Sequence, residues 1–409
     1  MPFNFDNTLI KITDYKLKGK LPDPFTFNDG TRVATLADWE RRKKEIWQTA
    51  VDLQFGPTIP QPEVLTVDPL YCQELPGNPC WYRVNCGTKE KTISFTMTVF
   101  KADMFKPCPV MICGDHCFTR IYNQDFIKSC TDNGISLVMF NRTEILPDVA
   151  EYNTECMVPG SYEFDAAMDI VRANADGRVV GPLKDVYPDV DFSTLMGWAW
   201  GYSRCVDAVK LLGICDESAI TFTGHSRGGK ACLLAGILDQ RASVVNPNAS
   251  CAGGLSCYRV VYSAIRENGT EATSEEISNI FTHFPTWMGK GMKDYVDNEQ
   301  NLPFDAHYSS ALIAPRTLVI SESASDIMAS PLGSYQCMLA AKEVYKFLGA
   351  EDKIMWYCKK GGHEHTPDDI RRLVNVIRNR KYGEPLVGPF NNLPFPESEK
   401  IFDWAAPTK

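Results

Sequence analysis

Ala219-Ile220-Thr221-Phe222-Thr223-Gly224-His225-Ser226-Arg227-Gly228-Gly229-Lys230-Ala231-Cys232-Leu233-Leu234-Ala235 passes from a β-prone run, through a serine flanked by glycines, into an apolar helix-forming run. A strand that turns sharply into a helix at a serine is a nucleophile elbow. The turn is strained and crowded, which is why small residues stand at Gly224 and Gly228. Gly-x-Ser-x-Gly by itself marks many ordinary turns. In this strand-to-helix setting Ser226 is expected to be a catalytic nucleophile, so the rest of the chain should supply a base and an acid.

Outward from the elbow, short β-rich runs at 109–113, 135–140, 220–222, 316–320 and 354–357 carry almost no polar alternation. Strands of that kind are buried on both faces, as in a parallel sheet covered by helices. Helical segments are expected at 197–213, 227–239, 331–349 and 366–380. Strand and helix alternating around an elbow predict an α/β-hydrolase fold: a three-layer αβα sandwich on a mostly parallel central sheet. Upstream, 81–84 and 92–100 read as strands joined across Gly87-Thr88-Lys89-Glu90, an antiparallel hairpin. Residues 1–79 are irregular and proline-rich, with one helix at 36–51, and are expected to form an arm wrapping the core. With no internal repeat, low-complexity stretch or linker, residues 1–409 are expected to be a single domain.

The chain has six histidines. In this fold the order is nucleophile, acid, histidine, with the histidine in a loop after the last strand. His283 and His307 fall too early. The Gly361-Gly362-His363-Glu364-His365-Thr366 loop follows the run at 354–357, and its glycines free the backbone to turn an imidazole toward Ser226. His363 is favoured as the base and His365 is the alternative. For the acid, Asp326 lies six residues past Ile320, with Glu322 as its local competitor. The other site for an acid, the loop Val244-Val245-Asn246-Pro247-Asn248-Ala249-Ser250-Cys251-Ala252-Gly253-Gly254, holds no carboxylate. Asp326 could instead simply cap the helix that starts near Pro331.

The backbone N–H of Arg227, at a helix N-terminus, is expected to receive an oxyanion. A second donor is expected from the turn Gly114-Asp115-His116. Arg227 and Lys230 place two cations within a turn of the nucleophile, which suits a substrate bearing hydroxyls or an anion.

Hydrophobic residues make up 44% and charged residues 23% of the 409-residue chain, ordinary for a globular protein, and the net charge is -9. No basic cluster tracks a phosphate backbone, so nucleic acid is not an expected partner. No apolar run approaches the ~18 to 20 residues of a membrane span. Met1-Pro2-Phe3-Asn4-Phe5-Asp6 has no basic-then-apolar export pattern, and the fifteen cysteines stand as singletons without Cys-x-x-Cys. These features lead to the expectation of unpaired thiols in a reducing cytoplasm, or of a secreted protein if an export signal has been trimmed. Two histidines two residues apart lack the further ligands of a metal site, so neither metal nor cofactor is expected. The protein is expected to act as a monomer.

The Gly224-to-Ala231 motif, Trp198-Ala199-Trp200-Gly201-Tyr202-Ser203-Arg204, Leu302-Pro303-Phe304-Asp305-Ala306-His307 and Ala311-Leu312-Ile313-Ala314-Pro315-Arg316 together resemble the glucuronoyl esterases of carbohydrate esterase family 15. Leu21-Pro22-Asp23-Pro24, Pro331-Leu332-Gly333-Ser334-Tyr335 and Gly362-His363 extend the resemblance over most of the chain. It implies metal-free cleavage, through an acyl-enzyme, of the ester between (4-O-methyl-)glucuronic acid on xylan and an alcohol of lignin. The substrate would be a small-molecule or oligosaccharide uronate ester. Ser226 would be the nucleophile, Arg227 would hold the oxyanion through side chain and backbone, and Lys230 would bind sugar hydroxyls. His363 matches the histidine loop of bacterial-type members. Fungal-type members carry a glutamate where Ala249 stands, which leaves the acid to Asp326. Met328 aligns with a sugar-stacking tryptophan, and His283 stands where an acidic sugar-binding residue is common. The alternatives are a carbohydrate acetyl esterase (acetylxylan esterase-like) of the same fold and a catalytically silent binding protein.

Overall fold

The computed structural model describes residues 15–73, 78–118, 123–265, 271–391 and 399–408. The remainder of the expected arm, 1–14 and 74–77, lies outside the described residues. The strands are β1 (Tyr15–Leu17), β2 (Val64–Cys72), β3 (Cys80–Gly87), β4 (Thr92–Phe100), β5 (Cys108–Cys113), β6 (Ser136–Phe140), β7 (Cys215–His225), β8 (Ala242–Asn248), β9 (Val260–Ile265), β10 (Glu271–Thr273), β11 (Thr317–Ser323) and β12 (Ile354–Lys359). The α-helices are α1 (Leu36–Trp47), α2 (Gln124–Thr131), α3 (Tyr162–Ala175), α4 (Pro182–Val186), α5 (Thr194–Leu211), α6 (Arg227–Leu238), α7 (Ile277–His283), α8 (Ala306–Ile313), α9 (Pro331–Phe347) and α10 (Pro367–Tyr382).

The central sheet has nine strands in the order β12-β11-β8-β7-β5-β6-β4-β3-β2. From β12 to β6 neighbouring strands are parallel, and β6-β4-β3-β2 continues antiparallel. The expected parallel core and antiparallel start are therefore both present. Side-chain alternation explains why the runs read as uniformly apolar. Met111, Leu137, Met139, Val244, Val319 and Met355 face a core built with α2 and α10. Their neighbours Ile112, Val138, Val245, Leu318, Ile320 and Trp356 face a second core built with α5, α6, α8 and α9. Both faces being covered removes any polar period. This is the three-layer sandwich of the α/β-hydrolase fold.

Four local expectations need correction. Residues 244–248, read as loop, form most of β8, which sits between β7 and β11. Asn246 and Pro247 look like turn residues, yet the Asn246 amide is used inside the sheet: its Oδ1 accepts from Thr223 Oγ1 at 3.0 Å and its Nδ2 donates to Val319 O at 2.8 Å. The helix expected at 36–51 stays α-helical to Trp47 and continues as a π-helix over Gln48–Leu53. The cysteines are not all thiols, because Cys72 and Cys80, directly opposed across β2 and β3, form a disulfide. Within the segment read as irregular, β2 was missed. Its outward side chains and Pro69 dilute the strand pattern, since it is the sheet edge, where proline is tolerated.

Part of the expected arm is integral to the packing. Leu21, Phe25, Trp39, Ile46, Val51 and Phe55 are buried in the core shared with α8 and α9. β1 pairs with β9 in a separate three-stranded antiparallel sheet, β1-β9-β10. Among the described residues no helix is long and apolar enough to cross a membrane.

Candidate active site

β7 ends at His225 and α6 begins at Arg227, leaving Ser226 alone at the elbow with φ 56° and ψ -125°. Such a conformation costs a non-glycine residue about 1–3 kcal/mol and persists only where surrounding contacts enforce it. Those contacts are visible. A Cβ on Gly224 would come 2.3 Å from Gly228 O, and one on Gly228 would come 2.0 Å from Asp115 Oδ1, so both glycines are required by close approach. The Ser226 N–H donates to Asn248 O at 3.0 Å, and the His225 N–H donates to Asp115 Oδ2 at 2.9 Å. Asp115 is fully buried and paired with Arg142 at 2.7 Å, which forms a rigid floor beneath the serine.

The acid and histidine loops are laced together beside this elbow. The Ala324 N–H donates to Lys359 O at 2.8 Å and the Ser325 N–H to Gly361 O at 2.9 Å. As a result His363 Nδ1 lies 2.6 Å from Asp326 Oδ2. A carboxylate accepts, so Nδ1 carries the proton and Nε2 is left with its lone pair free to act as a base. Nε2 is buried and has no hydrogen-bond partner among the described residues. The helix-capping alternative for Asp326 is not met: α9 has Ser330 as its N-cap with no side-chain cap hydrogen bond, and Asp326 Oδ1 accepts the Ala329 N–H at 3.1 Å ahead of the helix while Oδ2 holds the imidazole.

The two competitors go elsewhere. His365 packs edge-on against Phe126 at 5.4 Å and stacks on His225 at 5.8 Å. Glu322 sits on β11 with 1% exposure, and burial, then the nearby Asp326 charge, pushes its carboxyl well above the usual range. Its surroundings favour the neutral acid over the ionised acceptor that an imidazole partner needs. The sign of the linkage follows. Unfolded Glu322 ionises above its ordinary pKa while the folded group keeps its proton, so stability falls as pH rises from there toward the folded pKa. Glu322→Gln should leave the melting temperature unchanged near pH 4 and raise it near pH 7.5, as measured by calorimetry at both values.

Arg227 turns its side chain away from the helix into a clamp. Its Nη1 pairs with Asp148 Oδ1 at 2.9 Å, and the guanidinium lies 4.7 Å from each of the Phe284 and Trp287 rings, which stack on one another at 3.8 Å. Burial opposes the charge, but Asp148 outweighs it and holds the guanidinium pKa above its ordinary value. Asp148 also reaches Arg142 at 3.5 Å, so the floor under Ser226 and the clamp beside it share one carboxylate. Asp148→Asn keeps the shape and removes the charge. Losing one charged partner of a desolvated pair should weaken substrate capture, expected as a rise in KM of about tenfold in steady-state kinetics.

Lys230 is 1% exposed, donating to Ser250 O at 2.9 Å and to Glu275 Oε2 at 2.6 Å. The acidic residue beside Lys230 is therefore Glu275, whereas His283 lies at the outer rim, 6.4 Å from the Tyr152 ring. Glu275 donates its N–H to the carbonyl of Met328, whose side chain is 40% exposed. For the expected second oxyanion donor, Gly114 must be withdrawn: its N–H already donates to the buried Tyr202 hydroxyl at 3.0 Å. Among the described residues the grouping with metal-ligand spacing is Cys257, Asp305 and Cys337, which does not include the histidine loop. Asp305 there is paired with Arg259 at 2.8 Å and accepts the Tyr258 N–H, as a structural hub does.

Sequence reasoning missed Asp148, Glu275, Phe284 and Trp287, because they lie in irregular segments far from the elbow with no local spacing to mark them. His225 was inside the motif and could have been considered as a third ring of the site.

A family model for glucuronyl esterases of fungi matches residues 161–349. The 4-O-methyl-glucuronoyl methylesterase of Schizophyllum commune is 28% identical over 404 residues, covering 95% of this chain and 91% of that protein. The carbohydrate esterase family 15 glucuronoyl esterase from Caldicellulosiruptor kristjansonii superposes with a TM-score of 0.74 at 27% identity, over 95% of this chain and 97% of that one. The chain is thus similar, over nearly its whole length, to the glucuronoyl esterases of carbohydrate esterase family 15. The Sporotrichum thermophile glucuronoyl esterase, solved in complex with methyl 4-O-methyl-β-D-glucopyranuronate, shares the fold with a TM-score of 0.67 at 22% identity over 90% of this chain and 89% of that one.

Proposed function

We propose that this chain is a serine esterase that cleaves the ester between glucuronic acid, or its 4-O-methyl ether, and an alcohol. The observation that carries this is the Asp326–His363 hydrogen bond at the foot of the Ser226 elbow, with Arg227 and Lys230 on the next turn. The relatives' named substrates support the uronate half of the assignment.

In this mechanism Ser226 Oγ attacks the ester carbonyl as His363 Nε2 takes its proton, and Asp326 holds the resulting imidazolium through Nδ1–H. The oxyanion forms against the Arg227 N–H and the positive end of α6. Collapse of the tetrahedral intermediate expels the alcohol, to which His363 returns the proton, and leaves the uronyl group on Ser226. Water activated by His363 then attacks the acyl-enzyme and frees the uronic acid. Lys230 and Glu275, already paired, offer a donor and an acceptor to sugar hydroxyls. Met328 contributes a soft apolar contact where a tryptophan would stack on the pyranose. The Cys72–Cys80 disulfide supports a secreted protein, since such bonds persist in oxidising compartments, and the cytoplasmic expectation is not retained.

Hydrolysis of benzyl glucuronate and of an acetylated xylose, assayed side by side with Ser226→Ala as the blank, tests the assignment. Release of glucuronic acid that disappears in the blank is the expected result. Activity on the acetyl ester alone would move the protein to the acetyl esterase reading, and activity on neither would leave a silent binding fold.

A further inference from the structure

The loop that carries His363 is tied by its backbone to the acid loop, through Gly361 O, and then turns on two glycines. Gly361 has φ 126°, and a Cβ on Gly361 or Gly362 would meet nothing within 4 Å, so packing does not fix these two residues. Asp326 grips the imidazole at a single atom. One hydrogen bond fixes the direction of Nδ1 but leaves the ring free to rotate about that axis, and rotation moves Nε2 away from the serine. Something else must set the plane of the ring.

The group in position to do so is His225, the residue before the nucleophile. It is 6% exposed, and its Nδ1 donates to Asn248 Oδ1 at 2.7 Å. Asn248 is also the residue whose carbonyl accepts the Ser226 N–H, so the His225 ring and the nucleophile are referenced to the same strand end. Against this anchored ring lie both histidines of the loop: His363 at 4.5 Å between centroids with a 41° tilt, and His365 at 5.8 Å with a 22° tilt. His365 is backed on its other side by Phe126 of α2.

We propose that His225 is a positioning residue for the base: a plate, fixed to β8 through Asn248, on which the histidine loop rests so that His363 Nε2 keeps its bearing on Ser226. The inference rests on the Ser226–His363–Asp326 reading above but not on which ester is the substrate. Arg227 is held by Asp148, and Lys230 by Ser250 and Glu275, so the effect of the plate belongs in turnover and not in binding.

The experiment compares the wild-type chain with His225→Ala and His225→Phe. It measures the rate of Ser226 phosphonylation by a fluorophosphonate, kcat and KM on benzyl glucuronate, and the downfield proton resonance of a His–Asp hydrogen bond. His225→Ala should slow phosphonylation and lower kcat together by about 10- to 100-fold, the cost of a base misplaced by roughly 1 Å, with KM unchanged. The downfield resonance should broaden in the same variant. His225→Phe, which keeps a flat ring, should recover most of the loss. Equal labelling rates in all three proteins, or a fall in His225→Ala that the phenylalanine does not recover, would overturn the inference while leaving the triad intact. A wild-type chain that is not labelled would overturn the triad reading and this inference with it. Labelling without hydrolysis of the glucuronate would fault the substrate assignment alone, and the labelling rates would still decide the role of His225. If His225→Ala does not fold, His365→Ala decides: a several-fold fall in labelling rate supports the plate, and an unchanged rate overturns it.

Discussion

Ser226→Ala is expected to lower kcat on a glucuronate ester by about 10⁶-fold, and His363→Ala by a similar factor, because hydroxyl and base act as one unit in serine hydrolases. The double substitution should therefore be no worse than either single one. Ser226→Ala removes the atom that forms the acyl bond. His363→Ala leaves that atom without a proton acceptor, since His365 packs on His225 and Phe126 and is not bonded to Asp326. Steady-state kinetics on the three variants checks this. Additive losses, or a His363→Ala enzyme that keeps its turnover while His365→Ala does not, would move the base to His365. KM should change little in all three, because Arg227 and Lys230 remain held by Asp148 and Glu275.

Asp326→Asn is expected to reduce kcat by about 10⁴-fold with the fold intact, the size of effect seen when the triad acid is made an amide and the imidazole takes the wrong tautomer. Here the physical route is plain. An asparagine amide turned toward Nδ1 would donate where the carboxylate accepts, placing the proton on Nε2 and removing the lone pair that Ser226 needs. Glu322→Gln is the matched control: burial raises the pKa of its carboxyl and favours the neutral form, so an amide of the same shape should keep kcat near wild type. Rate measurements at neutral pH on the two variants discriminate them. A large loss in Glu322→Gln with little in Asp326→Asn would transfer the role to Glu322.

Much of this was legible locally. A strand, a small-residue turn and a helix are set by interactions within a few residues, so the elbow and the helices α5, α6, α9 and α10 read off the chain within a few positions of where they fold. Order along the chain narrowed the acid and base to two pairs. β8 was lost because asparagine and proline carry turn signals on average, while their partners in this sheet, Thr223 and Val319, lie 23 and 73 residues away. The Cys72–Cys80 bridge went unread for a related reason: its register depends on the pairing of β2 with β3.

The sequence by itself determined the fold class and singled out the candidate nucleophile and the loops proposed to carry acid and base, because strand and helix periods, turn chemistry and chain order are local or one-dimensional properties. Tertiary structure alone distinguishes His363 from His365, and Asp326 from Glu322, by bonding His363 to Asp326. Each pair is separated by at most four residues, and what distinguishes its members is burial, direction and one hydrogen bond. It also supplied Asp148, Glu275 and the ring of His225, whose meaning lies wholly in what the fold brings beside them. Those contacts span 45 to 138 residues of sequence, and no periodicity along a chain encodes which distant segment will pack across a site.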